Sequence, residues 1–293
     1  MNPPEDAPLS KANRPAPGRP PLQRQQSELS APSEVPLKEI IAIKLGDPFH
    51  WLGSGWRDLI GSRGVSFFYG VCFWLMAVVL GIVFRNKPEF AMTIASGCLL
   101  VGPFLALGLY EVSRRREQGL PVQLRASLTC WDSHVGSMGM LLLVLIVLEL
   151  LWGRASLVVF AVFFNTGMLS TTGVIQAIFN PENWEFLAVY LLVGGVFAGL
   201  VYAVSVVSIP MILDRDTDAI SAAITSLQVV FGNPAAMLLW GALITTLVVV
   251  ALIPSGLGLL IIGPWLGHAS WHAYRGSVRW LDSAAGDTAK LLS

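Results

Sequence analysis

The chain has 293 residues, 54% of them apolar and only 13% charged, and its 19 basic and 19 acidic side chains cancel. A water-soluble domain carries about twice that charged share, so an ordinary soluble globule is excluded. The lack of a basic surface or an aromatic platform excludes a nucleic-acid binder. Cys72, Cys98 and Cys130 stand at no paired metal spacing and provide no disulfide framework.

Residues 1–36 are rich in proline and scattered charge and contain no apolar core of a signal peptide, which predicts a disordered cytoplasmic tail. Asp47 and Pro48 can then start a helix in which Phe49, Leu52, Trp56, Leu59 and Ile60 recur near helical spacing beside Arg57 and Asp58. That pattern suits a helix lying in the membrane interface. Apolar runs of the length that crosses about 30 Å of hydrocarbon follow at 65–84, 91–110, 136–152, 186–213, 235–253 and 256–274. They predict an all-α membrane protein: a bundle of six transmembrane helices arranged as three hairpins within residues 37–276, followed by a short cytoplasmic tail at 277–293. Two more interfacial helices are expected, at 121–132 and at 216–231, the second with Ile220, Ala223, Ile224, Leu227 and Val230 on one face. The run 155–179 is diluted by Asn165, Thr166, Ser170, Thr171, Thr172 and Gln176. It reads as helix in the interface, with a seventh span as the alternative.

Lys and Arg concentrate on the cytoplasmic side of membrane proteins. With six spans and an internal N-terminus, only Arg85, Lys87 and Arg154 fall on the far side, so both termini are expected in the cytoplasm.

The stretch GPFLALGLYEVSRR from Gly102 recurs in altered form as GPWLGHASWHAYRG from Gly263. Aligned on Pro103 and Pro264, Phe104 pairs with Trp265, Leu105 with Leu266, Tyr110 with Trp271 and Arg114 with Arg275. A weaker third copy is SVVSIPMILDR, with Pro210 and Arg215. The turn reads first as a packing device at the cytoplasmic end of a return helix. Gly102, Gly263 and Gly267 allow close helix contact, as Gly195 and Gly199 do on the fourth span. Pro103 and Pro264 kink the helix and free a carbonyl inside the bundle.

His268 and His272, spaced i and i+4, project from one helix face and are the sharpest candidates for chemistry. Metal or haem ligation is one reading and hydrogen bonding at headgroup level the plainer one. No Glu follows His268, so a zinc-protease helix is unsupported, and one helix face cannot supply both axial ligands of a haem. Packing of the repeats about a common axis would gather Glu111, His272, Arg114, Arg275, Asp214 and Arg215 in a polar cytoplasmic vestibule, either as salt bridges or as an ion or substrate path. Glu149, in the last turn of the third span, snorkels outward, pairs with Arg154 or relays protons. The sequence holds no phosphate-cradling glycine loop, nucleophile elbow or covalent-haem motif, and enzymatic activity has little support.

Together VGPFLALGLYEVSRRREQG, VSIPMILDRDTDAISAAITSLQVVFGNPAAMLLWG and GLGLLIIGPWLGHASWHAYR resemble the bacterial domain-of-unknown-function 2189 family of integral membrane proteins, over residues 40 to 275. The resemblance implies a bacterial inner-membrane location. Some family members carry a cytochrome c oxidase subunit label, which hints at a respiratory context, but this chain lacks the histidines and the helix number of the catalytic oxidase subunit. Two functions are expected on these grounds: a non-catalytic partner or assembly factor of a larger membrane complex, or a transporter or channel for a small solute, ion or lipid. Lipid, a membrane-protein partner or a second copy of the chain are the partners implied.

Overall fold

A computed structural model describes residues 38–86, 91–164 and 183–281. The Pro-rich segment 1–36, Lys87, residues 165–179 of the stretch expected in the interface, and 282–293 of the expected tail lie outside the described residues, as does the side chain of Pro103. The fold divides into two units. One is residues 39–279; the other comprises 1–38 with 280–293, of which 38, 280 and 281 are described.

Ten α-helices account for most of the described residues. They are α1 (Asp47–Gly61), α2 (Arg63–Asn86), α3 (Ala91–Glu117), α4 (Leu124–Leu128), α5 (Val135–Phe163), α6 (Trp184–Ser205), α7 (Ser208–Arg215), α8 (Ala219–Gly232), α9 (Pro234–Leu252) and α10 (Leu259–Ser277). A ribbon of two three-residue strands, β1 (Lys38–Ile40) and β2 (Val278–Trp280), accompanies them. Sequence periodicity did not anticipate the ribbon, because three residues are too few to show alternation.

Four stretches among the described residues are long and apolar enough to cross a membrane: Arg63–Asn86, Leu124–Phe163, Trp184–Arg215 and Pro234–Leu252. They match the first, third, fourth and fifth expected spans. At 1.5 Å per residue α2 is about 36 Å long, yet only Ser66, Tyr69 and Gly70 of it are buried, while Leu75, Val79, Ile82 and Phe84 are exposed. An apolar surface of that extent belongs in lipid. The expected second and sixth spans fall in α3 and α10. These carry Arg114, Arg115 and Arg116, and His268, His272 and Arg275, near their C-terminal ends.

α10 is the hub of residues 39–279. Pro264, Leu266, Gly267, His268, Ala269, Trp271, Ala273 and Tyr274 are all buried, against α1, α2 and α3. Close approach explains two glycines that sequence reading did not single out. A Cβ on Gly55 of α1 would lie 2.6 Å from the Ala269 nitrogen, and one on Gly70 of α2 would overlap the Leu260 carbonyl oxygen. That oxygen stands four residues before Pro264, which has no N–H to offer it, so the bare backbone of Gly70 covers the carbonyl freed by the proline. Gly263 and Gly267 accept side chains instead of a neighbouring backbone: Phe73 of α2 and Leu109 of α3.

The expected interfacial helices are present in part. α1 begins at Asp47 with Pro48 in its first turn. The Asp47 carboxylate accepts from the Lys44 N–H (2.8 Å) instead of capping the helix. Trp51, Leu52, Gly55 and Asp58 turn inward, and Phe49, Trp56 and Ile60 remain exposed. In α8 the buried face is Ala222, Thr225, Ser226 and Val229, whereas Ile220, Ile224 and Phe231 point outward. The larger apolar side chains therefore face the surroundings and the small and hydroxylated ones face the protein. Asp218 caps α8 by accepting from Ser221 N–H at 2.9 Å. Between α8 and α9, Asn233 accepts from the Ile43 N–H (2.8 Å) and donates to the Val229 carbonyl (3.2 Å), tying the chain before α1 to that corner.

Candidate functional site

The C-terminal ends of α3, α7 and α10 lie together with α1. Arg114, Arg115 and Arg116 are consecutive, so they fan out in steps of about 100° around α3 and reach different partners. Glu111, 3% exposed, has Oε2 at 2.7 Å from the Arg114 guanidinium and Oε1 at 2.7 Å from Arg115 Nε. The first contact is an ion pair without hydrogen-bond geometry. Arg114 also donates to the Leu213 carbonyl at 3.0 Å, a cation at the C-terminus of α7, where the helix dipole favours it. Asp214 accepts from the Tyr274 hydroxyl at 2.8 Å and lies 3.5 Å from Arg215 and 3.7 Å from Arg275. Arg275 also pairs with Glu117 at 2.8 Å, whose other oxygen accepts from Trp271 Nε1 at 3.0 Å. Two separate ion-pair groups result, Glu111 with Arg114 and Arg115, and Asp214 with Arg215, Arg275 and Glu117, joined only through the Arg114 bond to the Leu213 backbone carbonyl.

His272 goes elsewhere. Its Nε2 lies 2.9 Å from Asp58 Oδ2 on α1, and Asp58 Oδ1 accepts from Arg116 Nε at 3.0 Å. One turn deeper, the fully buried His268 is held between two serines: Nε2 is 2.9 Å from Ser66 Oγ on α2 and Nδ1 is 2.8 Å from Ser113 Oγ on α3. The Ser62 hydroxyl donates to the Asp58 backbone carbonyl (2.7 Å), so in the 3.0 Å Ser62–Ser66 bond Ser66 donates, and it accepts from Nε2–H of a neutral imidazole whose Nδ1 accepts from Ser113. A chain of hydrogen bonds thus runs from Ser113 through His268, Ser66 and Ser62 to the backbone of Asp58, whose carboxylate holds His272 and Arg116. Burial alone would push the Asp58 carboxyl up, but the hydrogen bonds from His272 and Arg116 outweigh it and bring the group down to about 2.

The two histidines therefore diverge despite sharing a helix face, and serine hydroxyls engage both ring nitrogens of His268. No group of three or more His, Cys, Asp or Glu that could hold a metal occurs among the described residues. Sequence reasoning missed Ser66, Ser113 and Glu117 and treated Asp58 as a solvent-side residue of an amphipathic helix. The available signal was the run of Ser62, Ser66 and Asp58 at i, i+4 spacing, which places three polar groups on one helical face.

A second feature adjoins the first. Between α2, α3, α9 and α10 lies an apolar cleft of about 530 Å³, with Phe73, Met76, Gly102, Ala106, Val248, Gly263 and Leu266 among its walls and Tyr110 and Ser270 among its few polar groups. No charged side chain among the described residues lines it. Gly102 borders this open space, and an added Cβ there would meet nothing within 4 Å. Cβ atoms on Gly195 and Gly199 of α6 would likewise meet nothing, so their small-residue stripe makes no packing contact with the described residues.

Residues 91–214 match the model of the DUF2189 family, described as a predicted integral membrane protein. The matched stretch covers the first motif and the start of the second, and ends before the third. Comparison with curated proteins and with solved structures gave no match.

Proposed function

We propose that this chain, an integral membrane protein carrying the DUF2189 sequence over residues 91–214, is a non-catalytic partner or assembly factor that receives a transmembrane segment of a larger complex in the α2/α3/α9/α10 cleft. The proposal includes six spans in three hairpins in a bacterial inner membrane, with both termini in the cytoplasm. One observation carries it: the cleft is bordered by the small residues Gly102, Ala106 and Gly263 and, among the described residues, is lined by no charged side chain. Small residues let a second helix approach closely in lipid. A path for a polar solute or ion would need polar groups along it, which argues against the solute and ion forms of the competing transporter or channel reading and leaves its lipid form to the test. The ion pairs at the ends of α3, α7 and α10 brace the helices that frame the cleft. Respiratory complexes are the first place to seek the partner.

The test is purification of the full-length protein from native membranes in mild detergent. A stoichiometric membrane protein that photo-crosslinks to a probe at position 102, and is lost in Gly102→Leu, supports the proposal. Absence of any such partner, together with solute flux through the purified protein in vesicles, overturns it in favour of transport.

A further inference from the structure

We propose that the corner where α1 meets α2 binds the phosphate of an anionic phospholipid, whose acyl chains lie on the exposed apolar stripe of α1. A single residue, Ser62, separates the end of α1 at Gly61 from the start of α2 at Arg63. α2 is long and apolar enough to cross a membrane, so its first residue stands at the level of the headgroups. Two guanidinium groups flank the last turn of α1 there. Arg63 reaches back and donates from Nε to the Ile60 carbonyl at 3.1 Å. Arg116 comes from α3, and its guanidinium lies over the bare backbone of Gly61, where a Cβ would overlap it. Ile60 and Gly61 are about 100° apart around the helix, so the two groups occupy neighbouring sides of one turn. Arg57, four residues before Gly61 and so on the same face, adds a third cation, its guanidinium 2.9 Å from the Ser54 hydroxyl.

The charges at this corner do not balance. Asp58 already holds His272 and Arg116, and among the described residues Arg57 and Arg63 form no ion pair. Three guanidinium groups thus share one carboxylate, a surplus of two positive charges. Arg63 and Arg116 each engage the protein through Nε, which leaves their terminal amino groups for a second acceptor, and that fork fits a phosphate. Beside them, Phe49, Trp56 and Ile60 are exposed and recur on one face of α1. Ile60 belongs to both features, since its carbonyl holds Arg63 and its side chain ends the stripe. Phe67, exposed in the second turn of α2, continues the apolar surface into the span. A free phosphate would use the arginines and leave the stripe bare. An uncharged apolar molecule would cover the stripe and leave the cations unpaired. A zwitterionic lipid brings its own cation to a site that already has an excess. An anionic phospholipid meets every requirement: its phosphate oxygens accept from the guanidinium groups, its net charge offsets the surplus, and its chains cover Trp56 and Ile60.

The proposal does not rest on the cleft reading. It is tested by native mass spectrometry of the full-length protein released from micelles, titrated with dioleoyl phosphatidylglycerol and, separately, with dioleoyl phosphatidylcholine. The first phosphatidylglycerol is expected to bind about tenfold more tightly than the first phosphatidylcholine. Its affinity should fall about fivefold in Arg63→Gln and about twentyfold when Arg57→Gln is added. Arg85→Gln, in the last turn of the same helix, should leave it unchanged, and a large excess of inorganic phosphate should not displace it. Arg57 and Arg63 are exposed, and size-exclusion profiles establish that their variants are folded. Should a variant not fold, the lipid comparison and the phosphate competition on the wild-type protein decide. Equal affinity for the two lipids, undiminished binding by folded Arg63→Gln, an equal loss in Arg85→Gln, or displacement by inorganic phosphate overturns the proposal.

Discussion

Alanine at Gly55 and alanine at Gly53 should have opposite effects on stability. Both positions lie in α1, so both substitutions gain the same helix propensity, about 1 kcal/mol over glycine. The added methyl at Gly53 meets nothing within 4 Å. At Gly55 it would stand 2.6 Å from the Ala269 nitrogen and 2.8 Å from its Cα. Restoring ordinary contact at 3.4 Å requires α1 to move by about 0.8 Å off α10, an overpacking strain of about 1–3 kcal/mol. The propensity gain cancels in the comparison, so Gly55→Ala should unfold about 2–10 °C below Gly53→Ala for a domain of this size. Thermal unfolding in detergent can be followed by tryptophan fluorescence, since Trp51 of α1 packs edge-on against Trp240 of α9 with ring centroids 5.5 Å apart. Equal Tm values for the two variants would refute the close packing of α1 on α10 and the central place assigned to α10.

The depressed Asp58 carboxyl sets a pH window. Its folded value of about 2 lies below the ordinary 3.8, so its stabilisation is complete above the ordinary value and is lost as pH falls through the folded one, an upper bound of about 2 kcal/mol. The stability gap between wild type and Asp58→Asn, measured by denaturant unfolding, should stay constant from pH 7 to about 5 and narrow toward pH 2; a gap independent of pH contradicts the assigned bonds. His268→Leu should cost about 2–4 kcal/mol, because Ser66 and Ser113 are left buried with one partner fewer. A His268→Leu protein as stable as wild type in the same assay would remove the network from any account of the fold.

What could be read from the sequence follows the range of each interaction. Hydropathy marked the helices that face lipid, because their exposed residues, such as Leu75, Val79 and Ile82, answer to the solvent alone. The Gly-Pro pairs at 102–103 and 263–264, read as marking the cytoplasmic ends of their helices, lie inside α3 and α10, well before the ends that meet α7. Pairing was not legible. The Ser66–His268 bond joins residues 202 positions apart, and nothing local to either says which hydroxyl the imidazole meets. Glycines were equally ambiguous: Gly195 with Gly199 has the packing spacing and touches nothing among the described residues, whereas isolated Gly55 and Gly70 carry the close contacts. A motif records that a surface can be approached, and only the fold says by what.

The late position of α10 in the chain has a consequence for biogenesis. Synthesis runs from the N-terminus, so α1, α2 and α3 enter the membrane before the helix on which they converge has been made. Until residues 259–277 arrive, Ser66, Ser113 and Asp58 have no imidazole between them and the Gly55 and Gly70 backbones lie bare. Nascent chains halted before residue 259 should therefore be open assemblies, vulnerable to quality-control proteases, and the last helix should act as the closing wedge that converts them to a durable form.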